Sequence, residues 1–183
     1  MINRVFIEDN GRIISSISGT PEILELNKIS DKYIDVDYLP NSDQYWGGDA
    51  WVDIPPQPSP YHVFDYDLKD WTDPRTLDEI KAQKWAKFKS QRDQVEFGGF
   101  EFEGNTYDSD QVSQGRIMGA SAAGVGQTWT LANNATVELT DLQMQQLYAT
   151  LQAHIASVHE RGRIARQLIF EAESKEEVEA IQL

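Results

Sequence analysis

The sequence predicts an α+β protein in two parts. A small strand-rich N-terminal domain covers about residues 1–70, and a helical domain with two β-hairpins and one long C-terminal helix covers 71–183. Three observations predict it. The first 70 positions are short alternating segments separated by turn residues. Four prolines fall within Ile54-Pro55-Pro56-Gln57-Pro58-Ser59-Pro60, an extended run that marks a boundary or an edge. From Met144 to Ile169 apolar residues recur at steps of three and four.

The elements follow in order. Arg4–Glu8 and Arg12–Ile17 alternate apolar and polar side chains, and Asp9-Asn10-Gly11 between them supplies the positive-φ residues of a tight hairpin. Ile29–Tyr38 alternates less cleanly and ends at the turn Pro40-Asn41-Ser42-Asp43. Trp46-Gly47-Gly48, Trp51 and the proline run follow, and 61–66 reads as one more strand. Asp73-Pro74 opens a helix, with Asp73 as its expected N-cap and Leu77, Ile80, Trp85, Phe88, Arg92 and Val95 at helical spacing. Gly99–Phe102, a turn at Glu103-Gly104-Asn105 and Thr106–Asp108 make a hairpin. Ser109 is the expected cap of a second helix to about Ala123, which Gly124-Val125-Gly126 breaks. A further hairpin turns at Asn133-Asn134. Thr140 then caps a helix from about Asp141 to Glu173, and Ser174 opens a last short one.

The long helix carries a heptad-like seam of Met144, Leu147, Leu151, Ile155, Val158, Gly162, Ala165 and Ile169. At 1.5 Å per residue such a helix spans roughly 45 Å. The seam suits packing on the shorter helices of its own chain, and equally suits an intermolecular seam.

Composition excludes several functions. The chain has 183 residues, 40% of them hydrophobic, which is enough to bury a core. With no cysteine there is no disulfide, thiol nucleophile or thiolate zinc site. The N-terminus runs straight into a strand pattern without a signal peptide, and no stretch approaches a membrane span, so synthesis and retention in the cytoplasm are expected. The net charge of −14 opposes nucleic-acid binding. His154 and His159 lie five apart on one helix, the wrong spacing for stacked metal ligands. His62 sits in the proline-rich strand region as a packing or rim residue. Gly119–Gly124 lacks the spacing of a nucleophile elbow, and Gly124-Val125-Gly126 lacks the lysine of a phosphate loop. No catalytic, metal or cofactor-binding residue is expected, and the chain reads as a non-enzyme.

The aromatics carry more information. Tyr45, Trp46, Trp51, Tyr61, Phe64, Tyr66 and Trp71 crowd into 27 residues beside the prolines. A small strand-rich segment cannot bury all of them, so Tyr45, Trp46, Trp51, Tyr61, Phe64 and Tyr66 are candidate partner-binding residues. A carbohydrate platform is the lesser reading of the same cluster.

Further residues resemble a known family in order along the chain. They are Trp71-Thr72-Asp73-Pro74-Arg75-Thr76, Lys84-Trp85-Ala86, Gln91-Arg92-Asp93, Phe97-Gly98-Gly99-Phe100, Tyr107-Asp108-Ser109-Asp110 and Ser113-Gln114-Gly115-Arg116-Ile117. Trp129-Thr130-Leu131-Ala132-Asn133-Asn134, Leu139-Thr140, His154, His159-Glu160-Arg161 and Ala165-Arg166 complete the set. Over about residues 70–183 the chain resembles a phage-associated domain of unknown function, number 4376, carried by proteins of tailed phages and prophages. The segment 56–65 more loosely resembles the strand region that precedes this domain in tail proteins. The resemblance implies no catalytic residue. It implies a virion component of the tail tip, baseplate or fibre, with other tail and tail-fibre proteins as partners and a homo-oligomer such as a trimer around the tail axis. A tail-fibre assembly chaperone is the alternative, and a tail protein that binds or degrades surface polysaccharide is a third.

Overall fold

The computed structural model describes residues 1–182. The chain forms two compact units, Met1–Arg75 and Thr76–Leu183. The boundary lies later than residue 70 because Asp70–Thr72 is a strand that pairs back onto Val63–Asp65.

In the first unit, β1 (Ile2–Ile7) and β2 (Ile13–Gly19) form the expected hairpin, and β3 (Tyr33–Val36) pairs with the other edge of β1. Central in this sheet, β1 is buried on both faces. Val5 and Ile7 lie on one, and Arg4 and Phe6 on the other. Buried Arg4 donates to Asp35 at 2.8 and 3.0 Å and to Glu25 at 2.6 Å, and its guanidinium lies 3.7 Å from the centre of the Tyr33 ring. Glu25 belongs to α1 (Pro21–Leu26), a six-residue helix between β2 and β3 that the strand reading passed over. Its signals are local: proline in the first turn after Thr20, and Leu24 fully buried. Two further hairpins follow, β4 (Gln44–Trp46) with β5 (Trp51–Asp53), and β6 (Val63–Asp65) with β7 (Asp70–Thr72).

The Arg4 guanidinium, hydrogen-bonded to Asp35, holds that carboxyl below the usual aspartate range. The folded carboxyl therefore binds its proton less readily than the unfolded one. The resulting stabilisation is complete above a pH of about 4 and is lost as pH falls through the lowered value. An Asp35→Asn chain should show a shallower loss of stability below pH 4 than the parent in urea melts at stepped pH.

The second unit is built on α4 (Asp141–Glu171), which ends two residues before the expected Glu173. Before it come α2 (Leu77–Phe97), the hairpin β8 (Phe100–Phe102) with β9 (Asn105–Tyr107), α3 (Gln111–Ala123), and the hairpin β10 (Gln127–Thr130) with β11 (Thr136–Leu139). After it comes α5 (Lys175–Ala180). Thr140 and Gln143 form a capping box at the start of α4, and Gly124 closes α3 at φ +65°, a left-handed position that glycine takes without strain.

Two caps fall elsewhere than the sequence predicts. The N-cap of α2 is Thr76, in a capping box with Glu79, and Asp73 instead pairs with the Arg75 guanidinium at 2.5 Å. The N-cap of α3 is Asp110, whose carboxylate accepts from the Val112 and Ser113 amides. Ser109 is fully buried and has another task, described below.

The seam of α4 is spent inside its own unit. Met144, Leu147 and Leu151 pack with Phe100, Tyr107, Ile117, Leu131 and Leu139, closing both hairpins and α3 over the first half of the helix. Ala165 and Ile169 pack with Ile80, Phe88 and Val178 of α2 and α5 along the second half. Buried Tyr107 has no hydrogen-bond partner for its hydroxyl among the described residues, and burial pushes that hydroxyl up in pKa. Tyr107→Phe should therefore be neutral or stabilising by up to about 1 kcal/mol in chemical denaturation, because an unpaired buried hydroxyl is costly.

Candidate functional site

The six aromatic residues singled out in the sequence lie on the β4–β5 and β6–β7 hairpins and the loop between them: Tyr45, Phe64 and Tyr66 form one ring group, Trp46 and Trp51 a pair, and Tyr61 stands apart from both. Gly11 sets the position of the first hairpin. Its φ is +80°, its carbonyl accepts from the Trp46 amide at 2.9 Å, and a Cβ there would stand 2.1 Å from the Trp46 carbonyl oxygen. Within β4–β5 the Trp46 and Trp51 rings meet edge to face at 5.1 Å. The β6–β7 turn is held by the Asp65 carboxylate, which accepts from the Asp67 and Leu68 amides.

Phe64 is the hub of this platform. Its ring contacts Tyr45 at 5.6 Å, Tyr66 at 5.1 Å and Trp71 at 5.4 Å. Being buried, it holds the platform together and offers no surface to a partner, which corrects its place among the docking residues. The prolines are tied in as well, since the Trp71 indole donates to the Pro55 carbonyl at 2.8 Å. Tyr45, Trp46, Trp51 and Tyr66 are half-buried. Tyr61 is exposed, with the Arg75 guanidinium 3.8 Å from its ring centre. Tyr38 and Leu39 just after β3 are also exposed, Tyr38 at 66%.

Of the seam residues, Leu147, Leu151, Val158, Gly162, Ala165 and Ile169 are buried within the unit, and Ile155 is partly buried against the same core. At Gly162 the stem of Arg92 lies so close that a Cβ would sit 3.3 Å from its Cδ. Of the two uses the sequence leaves open, the chain shows the internal one, because these side chains already face α2, α3, α5 and the two hairpins.

The model of the Domain of unknown function (DUF4376) matches residues 79–182. The chain belongs to the DUF4376 family. No curated protein and no solved structure matches it. The matched segment begins in the first turn of α2, so Trp71–Thr76 and the whole aromatic platform lie outside it.

Within the DUF4376 domain, several scattered motif residues meet at one joint, the C-terminal end of α2. That end has no basic residue in its last turn and no left-handed cap at Gly98. Tertiary donors satisfy its carbonyls instead. The Ser109 hydroxyl donates to the Glu96 carbonyl at 2.5 Å and accepts from the Gly99 amide at 2.9 Å. His154 Nε2 donates to the Val95 carbonyl at 3.1 Å while its ring stacks on Phe100. His159 Nε2 lies 2.9 Å from the Glu96 carboxylate. Phe97–Phe100, Ser109, His154 and His159 thus form a structural joint between α2, α4 and the first hairpin of the DUF4376 domain. No signal in the chain order reveals this, because the partners stand up to 63 positions apart. Ser109→Ala should cost about 2 kcal/mol in urea denaturation, since it leaves a buried carbonyl and a part-buried amide without their partner.

His62 is held within its own loop, its Nδ1 2.8 Å from the Ser59 hydroxyl. Among the described residues, no group of three or more His, Asp or Glu side chains is placed to hold a metal ion. None of their helices is long and apolar enough to cross a membrane.

Proposed function

We propose that this chain is a structural component of a bacteriophage tail, in the tip, baseplate or fibre, attached to a neighbouring tail protein through its N-terminal unit. The observation that carries the attachment role is the aromatic platform at 44–72. Two short hairpins hold half-buried Tyr45, Tyr66 and Trp71 around Phe64 beside the half-buried Trp46–Trp51 pair, and large rigid rings at low entropic cost are the common anchors of protein interfaces. The tail context rests on the resemblance of the ordered motifs between Trp71 and Arg166 to proteins of tailed phages. The DUF4376 domain, with α4 as its spine, supplies the rigid body that such an attachment would position.

A second reading is an assembly chaperone that binds fibre subunits and then leaves. The acid excess favours it, since a net charge of −14 keeps a free chain dispersed.

Quantitative mass spectrometry of purified particles separates the two. A stable copy number relative to the tail-tube protein is expected, and a multiple of three would indicate threefold symmetry. Absence from particles, with abundance in infected cells, would sink the structural reading and leave the chaperone.

A further inference from the structure

We propose that the groove between β3 and the β4–β5 hairpin is a docking site for an arginine or lysine side chain on a partner protein. The groove has a volume of about 420 Å³ and is lined by Asp35, Asp37 and Tyr38 on one side and Trp46, Asp49 and Trp51 on the other. The edge-to-face packing of the two indoles, with planes at 66°, turns one ring broadside to the other and builds an angled aromatic wall.

Charge selects the occupant. Residues 1–75 hold fourteen carboxylates and six Lys or Arg. Each of the six cations is already engaged within the unit, five in ion pairs and Lys69 with the Asn10 carbonyl. Asp35 is taken by Arg4. The Asp37 and Asp49 side chains have no ion pair or hydrogen bond among the described residues. The groove thus joins aromatic faces to uncompensated negative charge, and both attract a cation. An anionic ligand is repelled, and a neutral sugar leaves the carboxylates without a counter-charge.

The same unit already uses this chemistry twice. Arg4 lies over Tyr33 while bonded to Asp35, and Arg75 lies over Tyr61 while bonded to Asp73. The groove presents the same two partners, rings and carboxylates, with no arginine of its own. A guanidinium fits best, because its plane stacks on an indole while its edge bonds a carboxylate. This deepens the docking role proposed above and rests on it for the place where the partner resides.

The test titrates the full ¹⁵N-labelled chain with acetyl-Gly-Arg-Gly-amide, following the Trp46 and Trp51 indole N–H signals. A saturable shift of both is expected. The peptide with citrulline in place of arginine should bind far more weakly, and the double variant Asp37→Asn/Asp49→Asn should weaken arginine binding about tenfold. No saturable shift, equal binding of citrulline, or an unchanged affinity of the double variant would overturn the proposal. So would a shift of the same indoles by cellobiose but not by the arginine peptide, which marks a sugar site. Absence of the chain from particles would sink the tail role and leave this binding intact, so the two fail separately.

Discussion

Leu147→Ala is expected to cost about 3 kcal/mol and to lower the melting temperature by roughly 10–20 °C. Leu147 is fully buried where α4 meets both hairpins and α3, so truncation leaves a cavity among Phe100, Tyr107, Ile117, Leu131 and Leu139 that rigid elements cannot close. Helical ellipticity at 222 nm follows the loss, because α2 to α5 hold nearly all the helix of the chain. Leu168→Ala on the exposed side of the same helix should change stability by no more than about 0.5 kcal/mol. The pair distinguishes two uses of the seam. Residues free for a second chain would tolerate alanine in a monomer, and a melting temperature within a few degrees of the parent would overturn the internal packing described above.

Gly11→Ala is expected to dislodge the β4–β5 hairpin at a cost of roughly 3 kcal/mol. Two effects add: a non-glycine residue at positive φ, and a methyl group pressed on a backbone oxygen that cannot swing away. The Trp46 amide, which donates to Gly11, should lose protection from hydrogen exchange, and the Trp46 and Trp51 indole signals should move together. Binding of the arginine peptide should fall with them. Retained protection at Trp46 would mean that the hairpin holds its place without this contact.

Local chemistry made much of this architecture legible in advance. Both hairpins of the second unit, the Thr140 and Ser174 caps and the break at Gly124 follow from residues a few positions apart. The caps at Thr76 and Asp110 are not legible in the sequence, because two capping residues stand close together in each segment. Which of them takes the cap depends on a partner elsewhere: Arg75 claims Asp73, and the end of α2 claims Ser109. Short α1 leaves no periodic signal in the sequence, because six residues hold less than two helical turns.

The α+β class, the order of most elements, the acid excess and the crowding of aromatics before residue 72 are all readable from the chain order. Each of these is a property of composition or of spacing within one or two turns of chain. The use of each face is set by the packed fold: the seam of α4 closes its own core, Phe64 is a hub while Tyr38 is exposed, and Ser109, His154 and His159 meet at the end of α2. The physical reason is that burial and hydrogen bonding are settled between residues far apart in the chain, where an apolar stripe or a polar side chain carries no mark of which partner will cover it.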